Sequence, residues 1–204
     1  TRDAESADSW LQSLKFFRNS EDSKSGNFEY KAFPDWETLP YDFFSPHQDI
    51  TSSRIDCLYD LTIARKRLVV TIPITTLLQK IAPPAFISGS TFRYETGQKL
   101  TINNERLKLD SSGYSASNLV TQRGQYTVRG SVIDIFPMGS NLPVRVDLFD
   151  DEIDSLRLFD PDTQMTVEEV KEFRLLPGKE FPFDDDAIKR FKRKWHETFF
   201  VDAR

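Results

Sequence analysis

The sequence predicts a mixed α/β protein in which a first α/β unit is followed by a smaller α+β unit built on an antiparallel sheet. Residues 68–72 form a continuous apolar run with β-branched side chains and lead directly into a helical pattern, which is typical of a strand buried on both faces in an α/β unit. From residue 92 onward, apolar and polar residues instead alternate with period two, which is typical of antiparallel strands. We therefore expect three parts, at residues 1–90, 91–176 and 177–204.

The first part is predicted to begin with a helix, a loop and a strand. An apolar stripe at helical spacing predicts a helix at 9–17, and the polar run 20–27 predicts a loop. A short strand is expected at 28–33. Prolines interrupt the aromatic-rich stretch 34–46, which argues against a helix or a central strand there.

Two further helices are expected in the first part. Ser52 or Ser53 is suited to cap a helix whose apolar residues recur every three or four positions up to Ile63. A second helix at 76–81 follows the apolar run directly. The prolines at 83–84 are expected to stop it, because proline lacks the backbone N–H that a helix interior requires.

The second part is predicted to contain one helix and several strands. The helix is expected near 103–109, with Gly113 ending it. The strand segments are residues 125–136, 144–149 and 153–159, and turn residues separate them. This arrangement favours an antiparallel sheet with one helix beside it.

The middle strand segment carries an unusual combination of side chains on one face. Successive strand residues point to opposite sides, so Arg145, Asp147 and Phe149 share the face opposite to the apolar one. An aromatic residue beside charges on an exposed sheet face is typical of a protein–protein interface. Spacing alone leaves two interpretations open: Phe149 binds a partner, or it lies under another part of the same chain.

The third part is predicted to return as an extended segment and end in a helix that packs on the first part. Residues 174–182 are proline-rich, and the acidic residues 184–186 suit a helix start. The apolar stripe of that helix consists of Ile188, Phe191, Trp195 and Phe199. The basic residues at 189–194 are interpreted as a solvated helix face, with a nucleic-acid surface as the less favoured alternative.

Composition restricts the functional classes. With 204 residues, 38% of them hydrophobic, the chain can bury a sizeable core. A net charge of −5 argues against broad non-specific DNA binding, and one cysteine with two distant histidines provides no metal-ligand spacing. No run of about 20 apolar residues is present, so we expect a cytoplasmic protein that does not cross a membrane. The first residue is Thr1, so we also expect a fragment of a longer protein.

No catalytic site can be identified from the sequence. None of the eight glycines fits the phosphate-binding loop that a nucleotide-hydrolysing enzyme needs. Residues 148–152 superficially resemble a magnesium-binding strand, but Arg145 and Asp147 mark that strand as half-exposed. The acidic residues 150–152 are therefore interpreted as a hairpin turn, where Asp tolerates unusual backbone angles.

Four segments resemble one protein family. Residues 36–49 (WETLPYDFFSPHQD), 124–137 (GQYTVRGSVIDIFP) and 145–161 (RVDLFDDEIDSLRLFDP) are similar to the amino-terminal region of the bacterial transcription-repair coupling factors (Mfd), and 175–182 (LLPGKEFP) continues the similarity. That region is itself similar to the excision-repair protein UvrB. The resemblance implies a degenerate helicase-like (UvrB-like) α/β domain with an inserted α+β domain that binds the damage-recognition ATPase UvrA.

Two departures from UvrB favour the coupling factors. Between Asp49 and Arg54 there is no room for the long aromatic hairpin with which UvrB clamps DNA. Thr127 stands where UvrB-like sequences tend to carry another Arg. The resemblance therefore implies a non-catalytic module of transcription-coupled nucleotide excision repair, which recruits UvrA to a stalled RNA polymerase.

The resemblance also assigns site residues. Arg129, Arg145 and Phe149 match positions that contact UvrA in the family, and these positions lie in the strand segments selected above by alternation. The two arginines are expected to donate charge-assisted hydrogen bonds, with Phe149 as the apolar anchor. Asp147 is expected to orient Arg145, and Thr127 completes the predicted partner-binding set.

Other activities are expected outside these residues. The resemblance implies that ATP and magnesium bind only to motor domains of a longer parent, that other domains contact RNA polymerase and DNA, and that a carboxy-terminal domain covers the UvrA-binding face. This part is expected to need no cofactor. The alternative function is a UvrB-type DNA-dependent ATPase or helicase fragment that binds nucleotide and damaged DNA.

Overall fold

A computed structural model describes residues 1–18, 28–38, 43–63, 67–182 and 185–199. It shows a mixed α/β protein with one small parallel sheet and two antiparallel or mostly antiparallel sheets. No helix in these ranges is long and apolar enough to span a membrane. The predicted loop at 20–27 falls outside the described residues.

The first part has the predicted alternation of helices and strands. Strands β1 and β2 pair in parallel, and helix α1 packs against both of them. The elements are α1 (Ala4–Arg18), β1 (Phe28–Ala32), α2 (Gln48–Ile63), β2 (Arg67–Thr71), α3 (Ile74–Leu77) and α4 (Pro84–Gly89). The predicted helix at 9–17 and the predicted strand at 28–33 are therefore confirmed.

Three local predictions in the first part were wrong. Helix α2 begins at Gln48 rather than at Ser52, and Ser52 is a buried residue inside it. Strand β2 is half-buried along most of its length, because the described residues place only one strand beside it. The helix after β2 spans only Ile74–Leu77, and Pro84 starts the next helix, where its missing N–H costs nothing.

The second part is built on a six-stranded sheet. Its strand order is β4-β5-β6-β7-β8-β9, with β4 parallel to β5 and every other pair antiparallel. The elements are β3 (Phe92–Glu95), α5 (Ile102–Ser111), β4 (Ser115–Ala116), β5 (Gln125–Arg129), β6 (Val132–Ile135), β7 (Val144–Phe149), β8 (Glu152–Phe159) and β9 (Thr166–Val170). The predicted segment 125–136 is thus a hairpin of two strands, β5 and β6. The predicted helix before Gly113 is confirmed.

The main core lies on one face of the six-stranded sheet. Alternate strand residues point into it, among them Ile133, Val146 and Leu156, and helix α5 contributes Leu109. Ile55 of α2 belongs to the same cluster. The first and second parts therefore share a core, although their sheets are separate.

The second part ends with strand β10 (Glu172–Leu175), which pairs with β3, so the predicted extended segment at 174–182 begins as a strand. The chain then runs beside α2 and ends in helix α6 (Asp185–Phe199). The packing of α6 on the first part stays a prediction, and two residues of its apolar stripe, Phe191 and Phe199, are more than half exposed.

Candidate partner-binding face

The face of the six-stranded sheet opposite the core carries charged side chains. The register places Thr127, Asp134, Arg145 and Arg157 directly opposite one another across β5, β6, β7 and β8. We call this side the polar face, and we define it by Thr127, Arg129, Asp134, Arg145, Asp147, Phe149, Ser155 and Arg157. Arg145 and Arg157 line a shallow depression on it of about 400 Å³.

Asp134 connects two arginines of the polar face. Its carboxylate is 1% exposed and accepts hydrogen bonds from two arginines. Arg145 donates from Nε to Oδ1 at 2.7 Å and from Nη2 to Oδ2 at 3.0 Å, and Arg129 donates from Nη2 to Oδ2 at 2.6 Å. Bidentate arginine–carboxylate pairs have a fixed geometry, so Asp134 orients Arg145.

Asp147 has a different partner from the one predicted. It accepts hydrogen bonds from Nε and Nη2 of Arg157 at 3.1 and 2.6 Å and from Oγ of Ser155 at 3.2 Å. The prediction that Asp147 orients Arg145 was therefore wrong. The cause is register, because Asp147 lies opposite Ser155 while Arg145 lies opposite Asp134.

Arg145 contacts an aromatic ring in addition to its hydrogen bonds with Asp134. Its guanidinium carbon lies 4.8 Å from the ring centre of Phe159, a distance at which a cation is attracted to an aromatic face. Phe159 is buried in a small cluster with Val120 and Phe136. The hydrogen bond to Asp134 raises the pKa of Arg145 above its ordinary value, so the guanidinium stays charged.

Phe149 is exposed, as its interface interpretation requires. Strand β7 alternates between buried and more exposed residues along its whole length, and Phe149 ends it with 74% of its surface accessible. The alternative, that another part of the same chain covers this ring, is contradicted within the described residues. Phe149 pairs with Glu152 across a two-residue turn in which Asp150 has φ 55°, which confirms the predicted hairpin turn.

Thr127 lies on the polar face but offers little surface. It is 7% exposed, next to the short strand β4 and the segment that follows it. The structure thus brings Arg129, Arg145 and Asp147 together, and each side chain is partly exposed. Phe149 lies at the end of β7, the strand that also carries Arg145 and Asp147. Thr127 is the predicted site residue least able to touch a partner.

Three members of the polar face were missed by the sequence prediction: Ser155 and the two charged residues Asp134 and Arg157. Asp134 sits between Ile133 and Ile135, and Arg157 sits between Leu156 and Leu158, so each is the polar residue in an apolar–polar alternation. That signal places them on the same side as Arg145 once the hairpin register is known. Neither residue could be paired with its partner from spacing alone.

The described residues offer no metal site. Within 1–18, 28–38, 43–63, 67–182 and 185–199, no group of three or more His, Cys, Asp or Glu side chains is arranged to hold a metal ion. Asp134 and Asp147 are instead occupied by arginines. The chemistry of the polar face is hydrogen bonding and apolar contact.

Comparison with known proteins identifies the surrounding domain. A family model described as "UvrB interaction domain" matches residues 92–181, which include all of the polar face. The chain is 49% identical over 167 residues to the transcription-repair-coupling factor of Haemophilus influenzae and 51% identical over 167 residues to that of Escherichia coli. It is 31% identical over 188 residues to that of Myxococcus xanthus.

These alignments cover most of this chain but little of the relatives. They include 82% of the chain for the first two relatives and 92% for the third, against 14% and 16% of the relatives' own lengths. Residues 92–181 are a UvrB interaction domain, and over its aligned residues the chain belongs to the family of transcription-repair coupling factors.

Proposed function

We propose that this chain is a non-catalytic recruitment module of transcription-coupled nucleotide excision repair. It binds UvrA through the polar face and so brings the excision machinery to a stalled RNA polymerase. The observation that carries the proposal is the exposed Phe149 ring on the same sheet face as two arginines held by one buried carboxylate, within a UvrB interaction domain. This part acts without a cofactor of its own.

The binding mode follows from the chemistry of the polar face. Arg129 and Arg145 supply N–H donors for carboxylate or carbonyl oxygens on UvrA, and such charge-assisted hydrogen bonds are strong when water is excluded. Phe149 supplies the apolar contact. Interfaces are commonly dominated by a few aromatic and arginine residues of this kind, with the surrounding contacts serving to exclude water.

The first and third parts form the supporting domain. We propose that they belong to a degenerate helicase-like, UvrB-like α/β domain that the sheet-bearing domain interrupts. Support comes from the parallel β1–β2 pair and from the return of the chain to α2 after β10. In this arrangement the inserted domain is held at both of its ends.

The longer relatives suggest where the remaining activities lie. We propose that an ATP-dependent, magnesium-requiring DNA translocase motor and the RNA polymerase contacts belong to other regions of the parent protein. A carboxy-terminal domain of that parent would cover Phe149 until the complex with RNA polymerase forms. An exposed aromatic patch that is covered until needed avoids unwanted association.

The test is a titration of the chain with purified UvrA. Arg145→Ala and Phe149→Ala are each expected to weaken binding by roughly 2 kcal/mol or more, because each removes a central contact. Matched controls are Arg93→Ala, an exposed arginine paired with Glu172 on another sheet, and Phe16→Ala, whose ring is 73% exposed on α1.

The outcomes separate the possibilities. Loss of affinity in the two polar-face variants, with wild-type affinity in both controls and native unfolding transitions in all four, supports the proposal. Wild-type protein that fails to bind UvrA would exclude it. A thermal shift caused by millimolar ATP would favour the nucleotide-binding alternative instead.

A further inference from the structure

Among the described residues of the polar face, Asp134 is the only buried carboxylate that accepts hydrogen bonds from two arginines. Its three hydrogen bonds come from two different strands, since Arg129 ends β5 and Arg145 lies on β7. A buried carboxylate is costly unless it is paired and hydrogen-bonded. The paired arginines remove that cost here, and Asp134 fixes their positions in return.

Asp134 cannot itself be a contact residue. It is 1% exposed, and both of its oxygens already accept bonds from arginines. Asp147 differs, because its side chain is 23% exposed and can still reach a partner. The effect of Asp134 on any partner must therefore pass through Arg129 and Arg145.

The hydrogen bonds to Asp134 leave several guanidinium N–H donors without a partner among the described residues. Arg145 uses Nε and one edge of its fork on Asp134, so Nη1 has no partner among the described residues. Arg129 uses only Nη2, which leaves Nε and Nη1. Arg145 is thus held along one edge and Arg129 by a single hydrogen bond, and each keeps N–H donors for acceptor oxygens.

We propose that Asp134 is the positioning residue of the partner-binding face, which sets the geometry of Arg129 and Arg145 before the partner arrives. The inference rests on the proposed function for the identity of the partner, UvrA. It adds that affinity depends on a residue the partner does not touch. Fixing long side chains in advance lowers the entropy cost of binding, because fewer rotamers are lost on association.

The experiment compares Asp134→Asn with wild type in UvrA titrations. The substitution keeps the shape and removes the charge, so we expect affinity to fall about tenfold or more, as for a broken charged pair at an interface. Asp56→Asn is the matched control, since Asp56 also holds two basic groups, Lys31 and Arg174, but does so on α2. Its affinity for UvrA should equal that of wild type.

A double variant separates positioning from general destabilisation. If Asp134 acts through Arg145, the two substitutions are not independent. The fold-loss of affinity in the double variant Asp134→Asn with Arg145→Ala should then be smaller, by at least about threefold, than the two single fold-losses multiplied together. Independent, multiplying effects would overturn the proposal. So would wild-type affinity in Asp134→Asn.

A measurement on the free wild-type protein covers the case in which Asp134→Asn does not fold. The Nε–H of Arg145 should exchange slowly with solvent in nuclear magnetic resonance spectra, because it is bonded to a buried oxygen. Fast exchange would overturn the positioning role. Absence of UvrA binding by wild type would overturn the proposed function and this inference together, whereas normal wild-type binding with an unaffected Asp134→Asn would overturn only the inference.

Discussion

Gly139, in the connection between β6 and β7, is a residue whose backbone conformation and close neighbours both disfavour a side chain. Its φ is +78°, and a Cβ there would lie 2.9 Å from Oδ1 of Asp56 and 3.0 Å from Cδ1 of Leu176. Its N–H donates to Oγ of Ser52 at 2.7 Å. The backbone of the inserted domain therefore touches α2 directly, and a side chain at position 139 would force Asp56 or Leu176 to move.

Replacement of Gly139 by alanine should destabilise the protein by about 2 kcal/mol or more, since backbone strain of roughly 1 kcal/mol adds to a steric clash. Gly130→Ala is the control, because Gly130 also has a positive φ, +61°, but no atom lies within 4 Å of a Cβ built there. Urea denaturation of both variants measures the difference. Equal losses would show that the contact with α2 does not matter.

At the scale of single elements, helix α3 depends on a side chain from outside itself. It has only four residues, and Pro73 at its start makes no side-chain capping bond. Asp35, which follows β1, accepts hydrogen bonds from the hydroxyls of Thr75 and Thr76 at 3.0 and 2.9 Å and from Nε2 of Gln79 at 3.4 Å. One carboxylate thus ties the end of β1 to the helix after β2.

This carboxylate should make stability depend on pH. Burial raises the pKa of Asp35, but hydrogen bonds from Thr76, Thr75 and the backbone outweigh burial, so the pKa lies below its ordinary value of 3.8. A group with a lowered pKa in the folded state stabilises fully above its unfolded pKa and loses that contribution as pH falls through the folded pKa. Asp35→Asn should therefore be less stable than wild type at pH 7, with a smaller difference below pH 3.8.

Urea midpoints of both proteins between pH 7 and about 3 check this expectation, within the range where carboxylates titrate. A difference between wild type and Asp35→Asn that does not change with pH would contradict it. Thr75→Ala provides the comparison in which one hydrogen bond is lost and the charge is kept.

The strands of the inserted domain could be predicted from the sequence because their signals are local. Alternation in Val144–Phe149 correctly separated the core residues from Arg145, Asp147 and Phe149. The hairpin turn predicted at 150–152 was also correct, although only Asp150 and Asp151 form it and Glu152 already begins β8. Local pattern was enough to find the polar face.

The pairings on that face were not predictable, because they depend on register. Leu148 pairs with Ile153 and Asp147 pairs with Ser155, so one extra residue of β8, Asp154, lies between two partners that a regular ladder would place next to each other. On the regular side of this shift, Arg145 lies opposite both Asp134 and Arg157, and Asp147 bonds diagonally to Arg157 rather than to Arg145. A sequence pattern states which side a residue faces, but hairpin length and bulges decide its neighbours.

At the scale of the whole molecule, a buried ion pair joins residues that are far apart in the chain. Arg54 of α2 donates from Nε and Nη2 to the carboxylate of Glu180 at 2.7 and 2.9 Å, and from Nη1 to the carbonyl of Pro34 at 2.7 Å. Its guanidinium carbon lies 4.2 Å from the ring centre of Phe33 and 4.3 Å from that of Trp36. The ion pair thus attaches the segment after β10, which carries Glu180, to α2 of the first part.

Removal of one partner of this ion pair should lower the free energy of unfolding far more than removal of both. Arg54→Ala leaves the Glu180 carboxylate buried without its cation, so we expect the free energy of unfolding to fall by about 3–5 kcal/mol. Replacing both residues, as in Arg54→Met with Glu180→Leu, should recover most of that loss, because the apolar side chains need no pairing and fill similar space. Guanidinium denaturation gives both values, and a loss below about 1 kcal/mol for Arg54→Ala would place the pair among weak surface interactions.

Because Arg54 and Glu180 are not part of the polar face, the doubly substituted protein should still bind UvrA with wild-type affinity. Weaker binding would mean that the attachment of the return segment to α2 also controls the geometry of the polar face.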